Sequence, residues 1–262
     1  MNRFNARLTL ALSTVALSLA AGSVNAATLL ALGSDGQLFK IDSSSLKVTS
    51  KMAAQSPVAL RGFDIRPVNG QLYALGSDNQ LYTLDLASGA AKVAAKLNTS
   101  LPGAGQAVVD FNPVADRLRL LGPDGTSLRV NVETGEVAVD GKVAYAADGP
   151  YAGKTAKVVA GAYSNAYAGT KATALYNIDL ATANLLLQNP PNDGVQQKVG
   201  DIVDKLDAAA LDIASDGKGG NTAYLLTGKT LHTLDLASGK PTTLGDIAEL
   251  PDGIIDIAVL PQ

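Results

Sequence analysis

Residues 81–89 read LYTLDLASG, and residues 231–239 read LHTLDLASG. Looser copies stand at 38–45 (LFKIDSSS), 128–135 (LRVNVETG) and 175–183 (LYNIDLATA). A phrase written five times in one chain marks stacked supersecondary units. Anchored on Asp42, Asp85, Asn131, Asp179 and Asp235, the copies are 43, 46, 48 and 56 residues apart. That is the length of a four-stranded propeller blade.

The second and third copies align without a gap over DIRPVNGQLYALGSDNQLYTLDLASG, from Asp64, and DFNPVADRLRLLGPDGTSLRVNVETG, from Asp110. Within the second unit, GFDIRP, QLYALG, QLYTLDL and AAKVAAKL are short strand candidates separated by Val-Asn-Gly, Ser-Asp-Asn and Ala-Ser-Gly turns. Helical repeats need apolar residues three and four apart, which these segments lack. The first unit has no aspartate-bearing strand upstream of its phrase, and an unpaired candidate, IIDIAVLP, stands at the C-terminus. If that strand joins the N-terminal unit, the closing interval is 43 residues, and the five intervals account for 236 residues, all of the chain after Ala26. The fold expected is therefore all-β: a five-bladed β-propeller of four-stranded antiparallel blades, closed by pairing the C-terminal strand with the N-terminal blade. The longest interval, containing QNPPNDGVQQKVGDIVDKLD, has room for a long inter-blade loop or a degenerate sixth blade.

The first residues read as an export signal. Arg3 and Arg7 precede an apolar stretch from Leu8 to Gly22, and Val24-Asn25-Ala26 supplies a small-residue cleavage site before Ala27. The stretch is shorter than the roughly 20 residues a membrane-spanning helix needs. Residues 1–26 are expected to be a cleaved signal peptide and 27–262 a single domain, periplasmic or secreted. Cleavage would change the formal net charge from −3 to −5. With no basic block, neither nucleic acid nor an anionic membrane is an expected partner, and the mature protein is expected to be a monomer. The chain has no cysteine, so disulfides, thiolate metal sites and cysteine nucleophiles are excluded.

The segments VDFNPVADRLRLL (109–121), SLRVNVETG (127–135), AYSNAYAGTKATALYNID (162–179) and LLLQNPPNDG (185–194) together resemble a bacterial secreted β-propeller family catalogued as domain of unknown function 4394. The resemblance runs from about residue 28 to the C-terminus and implies the same fold and export. It implies no activity.

The first strand of a blade lines the channel of a propeller. Here it carries Asp64, Asp110, Asp212 and Asp256, with Ala162 at the matching place in the fourth unit. Four carboxylates in one channel would raise one another's pKa or recruit a hard, oxygen-preferring cation such as Ca²⁺ or Mg²⁺. The competing reading is that each accepts backbone N–H groups and recurs because the blade recurs. The third unit places Arg117, Arg119 and Arg129 where the second has Gln71, Tyr73 and Thr83. Arg119 and Arg129 are expected either to bind a carboxylate or phosphate ligand bidentately or to neutralise the channel aspartates. Tyr163 and Asn165, flanking Ser164, mark the channel strand where the aspartate pattern lapses, either as a binding wall or through decay of the repeat. The segment from Asn189 to Gly194, NPPNDG, is a stiff loop over one face or an ordinary connection.

Catalytic signatures are thin. His232, the sole histidine, occupies a repeat position filled elsewhere by Phe39, Tyr82 and Tyr176. No zinc site on histidine or cysteine can be assembled, and no phosphate-binding loop is present. Two functions follow: a non-enzymatic binding or scaffold protein for a protein, peptide or glycan, or a cation-dependent hydrolase or lyase using the channel aspartates.

Overall fold

The computed structural model describes residues 26–261. The expected signal peptide lies outside the described residues except for Ala26. Five sheets stand around a closed ring. Blade 1 pairs the last strand of the chain, β21 (Ile254–Val259), with β1 (Thr28–Gly33), followed by β2 (Gln37–Asp42) and β3 (Lys47–Ala53). Blade 2 comprises β4 (Leu60–Ile65), β5 (Leu72–Gly76), β6 (Gln80–Leu84) and β7 (Ala91–Lys96). Blade 3 comprises β8 (Val108–Asn112), β9 (Arg117–Leu121), β10 (Ser127–Val130) and β11 (Val137–Val139). Blade 5 comprises β17 (Ala210–Ser215), β18 (Asn221–Thr227), β19 (Thr230–Leu234) and β20 (Pro241–Asp246). No helix among the described residues is long and apolar enough to cross a membrane.

Blade 4 is the exception. It runs β13 (Val158–Tyr163), β14 (Leu175–Asp179), β15 (Asn184–Gln188) and β16 (Val195–Asp201), and a short fifth strand, β12 (Ala144–Tyr145), pairs parallel to the outside of β16. The phrase at 175–183 is therefore the second strand of its blade, whereas in every other blade it is the third. This corrects the register of the repeat. The extra length lies upstream, between β11 and β13, and QNPPNDGVQQKVGD is not an inter-blade loop but the hairpin joining β15 to β16. The five blades leave no room for a sixth.

The innermost strands β21, β4, β8, β13 and β17 follow one another around the axis, each in contact with the next. Closure by β1 and β21 is a five-residue antiparallel ladder from Leu29 opposite Val259 to Gly33 opposite Ile254. The core lies between the blades rather than at the axis. Leu30, Leu32 and Leu38 meet Phe63, Leu72 and Ala74 between blades 1 and 2. Leu75 and Leu81 meet Val109, Phe111 and Leu118 between blades 2 and 3. Similar clusters join blade 4 to 5 and blade 5 to 1.

The recurring phrase has a local cause. Asp85 Oδ1 accepts hydrogen bonds from the N–H groups of Ala87 (3.1 Å) and Ser88 (2.7 Å), and Asp235 repeats this with Ala237 and Ser238. These are side-chain-closed turns, and each ends in a glycine, Gly89 or Gly239, at φ 75°. Asn131 and Gly135 form the third such turn. The glycine has a second duty. A Cβ on Gly135 would collide with the carbonyl oxygen of Lys96 at the end of blade 2, and one on Gly89 with that of Ala53 at the end of blade 1. The turn therefore fastens each blade's third strand to the outer strand of the blade before it. Gly135→Ala combines that collision with a left-handed backbone, and is expected to cost about 2 kcal/mol or more in denaturant unfolding. Gly70→Ala, also at positive φ but with open space around it, should cost less.

Candidate binding site at the mouth of the ring

All five inner strands run in the same direction along the axis, so the ring has a start end and a finish end. At the start end a single side chain closes the channel. Gln106, just before β8, points its Nε2 at the carbonyl oxygens of Val159 (2.9 Å), Ala209 (3.1 Å) and Ile255 (2.6 Å), one from each of blades 4, 5 and 1. Arg61 holds the loop that delivers it. Its guanidinium donates to the carbonyls of Leu101, Pro102 and Gly105 while being 2% exposed. Neither residue was singled out by sequence reading. The available signal was Arg61 itself, a guanidinium placed in a strand whose other residues are apolar or bury their side chains.

The aspartates sit further along. Asp64 accepts the N–H of Phe111 in the next blade (2.7 Å) and that of its own neighbour Ile65 (2.6 Å). Asp110 accepts Tyr163 N–H of blade 4 (2.8 Å), Asp212 accepts Val259 N–H of blade 1, and Asp256 accepts Phe63 N–H of blade 2 (2.9 Å). Four of the five blade junctions are thus joined by a carboxylate reaching to the next strand. The fifth, from blade 4 to blade 5, lacks one because the position is Ala162. There Asn165 N–H donates to Asn221 Oδ1 (2.7 Å), and Asn221 Nδ2 donates back to Asn165 Oδ1 (2.9 Å).

Burial raises Asp64 and Asp110 well above the ordinary carboxylate range, and the charges of neighbouring aspartates add to it. Burial likewise raises Asp256. Asp212 is pushed up to about 6, burial outweighing the hydrogen bonds from Val259 and Ile213. One carboxylate oxygen each from Asp64, Asp110 and Asp212 lies within 4.8 Å of the others, an all-oxygen set of the kind a hard cation accepts. Asp256 shares the linking role but stands outside that group.

These three carboxylates line a cavity of about 930 Å³ at the finish end of the ring. Its walls are Arg66 and Pro67 of blade 2, Ala166 to Ala168 of blade 4, Ser215 to Gly217 and Gly220 to Thr222 of blade 5, and Ala27 with Val259 to Pro261 of blade 1. The volume falls in the range of small-molecule sites. The lining mixes aromatic, hydroxyl, amide and carboxyl groups.

The other residues singled out from the sequence lie elsewhere or serve the scaffold. Arg119 is 1% exposed and donates to Asp140, Ser127, Asn192 and the Tyr163 hydroxyl. Arg129 donates to both oxygens of Asp140 at 2.7 and 2.9 Å. The arginines are paired with Asp140, not with the channel aspartates. Burial opposes ionisation of Asp140, but hydrogen bonds from Arg129 and Arg119 hold its carboxyl below the usual range. Tyr163 faces this blade 3 to blade 4 seam, and Asn165 stands at the mouth beside Asn221. Asn192, in the NPPNDG turn, docks on blade 3 through Arg119. His232 lies on β19 between the hydroxyls of Thr227 (2.9 Å) and Thr243 (3.0 Å), away from the cavity.

The model of a family described as domain of unknown function (DUF4394) matches residues 37–258. The chain belongs to this family. No curated protein matches the DUF4394 chain. Among solved structures, a structural genomics protein of unknown function from Bacteroides thetaiotaomicron VPI-5482 is 16% identical with a TM-score of 0.57, over 90% of this chain and 62% of that one. A protein of unknown function from Bacteroides caccae is 12% identical, with a TM-score of 0.45 over 91% of this chain and all of that one. An auxiliary nutrient binding protein from Bacteroides ovatus ATCC 8483 is 14% identical, with a TM-score of 0.44 over 75% of this chain and 55% of that one. The first likeness supports the fold alone.

Two predictions follow from the site's charges. A carboxyl whose pKa is higher in the folded ring than in the unfolded chain binds protons more readily when folded. The stability this gives is complete below the unfolded value of 3.8 and is lost as pH rises, through about 6 for Asp212 and through the raised values of the others. Chemical unfolding of the wild type should therefore show stability falling as pH rises from 4 through about 6, with a shallower fall in Asp212→Asn. Asp140→Ala strands two guanidiniums, one of them fully buried, and is expected to cost about 3 kcal/mol or more in the same assay.

Proposed function

We propose that this chain is an exported, non-enzymatic binding protein that receives a polar ligand, or the polar end of a peptide or glycan, in the mouth of its propeller. The observation that carries this reading is the asymmetry of the channel. One end is sealed by Gln106 across three blades, and the other opens into a cavity of about 930 Å³ floored by carboxyl groups. The export signal read in the sequence supports a periplasmic or secreted setting. The sole histidine is engaged by two threonines outside the cavity, which supports binding over triad chemistry.

A glycan array and a short-peptide library tested with the mature protein check the proposal. Ligands that bind the wild type should bind Tyr167→Ala and Asp64→Asn at least about tenfold more weakly, a loss of about 1.4 kcal/mol. Tyr151→Ala, in the smaller pocket of about 280 Å³ on blade 4, should leave binding unchanged. Hits that depend on Tyr151 alone would move the site to blade 4. No hit in either collection would set the binding reading aside.

The close approach of Asp64, Asp110 and Asp212 favours one second reading, a Ca²⁺ or Mg²⁺ ion that activates water for hydrolysis or elimination. Stoichiometric calcium in natively purified protein, with a thermal midpoint that drops on chelation and does not in Asp110→Asn, would support it.

A further inference from the structure

Ala27 is the residue that follows the expected export cleavage site, and it forms part of the mouth. It lines the same cavity as Asp64, Asp110 and Asp212 and is 5% exposed. Its N–H donates to Ser43 Oγ (2.9 Å), and its carbonyl accepts Ser43 N–H (3.0 Å). Two residues on, β1 is already in register with β21, and Leu260 N–H donates to the Thr28 carbonyl at 2.8 Å. The first residue after the cleavage site is therefore gripped from both sides. Ala26, one position earlier, is exposed.

We infer that processing between Ala26 and Ala27 creates a binding group. The α-ammonium of Ala27 becomes a fixed cation in the cavity wall, facing a ligand whose other end meets the carboxyl floor.

This inference rests on the mouth being a binding site and names its ligand class, a short zwitterionic peptide. The chemistry is additive. In the unprocessed chain Ala27 offers one N–H, and Ser43 Oγ takes it. Hydrolysis of the Ala26–Ala27 amide adds water across the bond and leaves the Ala26 carboxylate on the released piece. The new ammonium carries three hydrogens, of which Ser43 Oγ accepts one. The remaining two are held at a surface whose lining otherwise has Arg66 as its cationic side chain, and Arg66 is already paired with Asp116 and Glu133. A ligand carboxylate finds at Ala27 a cation whose acceptor within the protein, Ser43 Oγ, is a neutral group. A ligand ammonium finds acceptors at the three aspartates. A cavity with an ammonium at one wall and carboxyl groups on its floor selects a molecule charged in the opposite sense at its two ends, and its volume admits several residues rather than one.

The test begins without a ligand. Intact mass of the exported protein is expected to show Ala27 as the first residue, and any other terminus overturns the inference. The α-amine should react with a small acylating reagent at least tenfold more slowly in folded than in unfolded protein. Equal rates would place the terminus free in solvent and overturn it equally. Triglycine is the binding probe, compared by calorimetry across three forms: protein beginning at Ala27, protein carrying one additional N-terminal glycine, and Asp212→Asn. Binding should be at least tenfold weaker in the extended form. Equal binding by the first two forms with loss in Asp212→Asn discards the ammonium but keeps the mouth as a site. No triglycine binding by any form discards the ligand class and this inference, leaving the glycan arm to decide the broader reading.

Discussion

A buried carboxylate that reaches across a blade junction to a backbone N–H is the interaction on which the ring depends. An inner strand of a propeller has sheet partners on one side only, and its other edge faces the next blade at an angle too steep for a ladder. Its N–H groups there would be buried without acceptors, at about 1–3 kcal/mol each. Asp64, Asp110, Asp212 and Asp256 supply those acceptors one blade at a time. The links run in one direction around the axis across four of the five junctions, and the ladder between β1 and β21 lets the link from blade 5 return to the first blade. A chain without disulfides gains its constraint from this closure.

Blade 4 shows what happens where one link is missing. Ala162 cannot reach blade 5, and the reciprocal amide pair of Asn165 and Asn221 takes over at the mouth. On the blade's other side, no apolar cluster joins it to blade 3 among the described residues. That seam is polar, built on Arg119, Asp140, Asn192 and the Tyr163 hydroxyl. A network of this kind is directional where apolar packing is not. It fixes the position of the NPPNDG turn through Asn192, and of β13 through Tyr163. The added strand β12 lies on the outer edge of the same blade. Irregularity in the sequence repeat, a polar seam and an altered junction thus coincide in one fifth of the ring, and one of the two tyrosines lining the cavity, Tyr167, comes from that same blade.

The architecture was legible because its cause is local. The Asp-x-x-Ser-Gly turn needs an acceptor at its first position and positive φ at its last, so each blade writes it in nearly the same letters. Closure was legible for the same reason, since β21 carries the aspartate that β1 lacks. The register of blade 4 was not. LYNIDLATA satisfies the turn chemistry equally well after a second strand, and Asp179 Oδ1 does accept from Ala181 N–H there. Local chemistry records that a turn exists and not its rank within a blade. At the site, the four aspartates stood out through repetition, whereas Gln106 and Arg61 did not, because each occurs once and acts on carbonyls contributed by distant segments. The cavity itself is assembled from the ends of strands in several blades, a relation that no spacing encodes.

Those same aspartates tie the scaffold to the site. A carboxyl group linking two blades must be buried to exclude water from the N–H it accepts, and burial is what raises its pKa. Three such groups crowded within 4.8 Å cannot all ionise cheaply, so burial and mutual repulsion both favour their protonated forms. A cationic group entering the cavity shifts that balance toward the ionised form and strengthens each carboxylate as an acceptor of the neighbouring blade's N–H. Under the proposed binding reading, ligand entry and inter-blade linkage would act on one set of atoms. A ligand that drew protons off the floor would also tighten the junctions that shape the cavity, with no movement of the blades required.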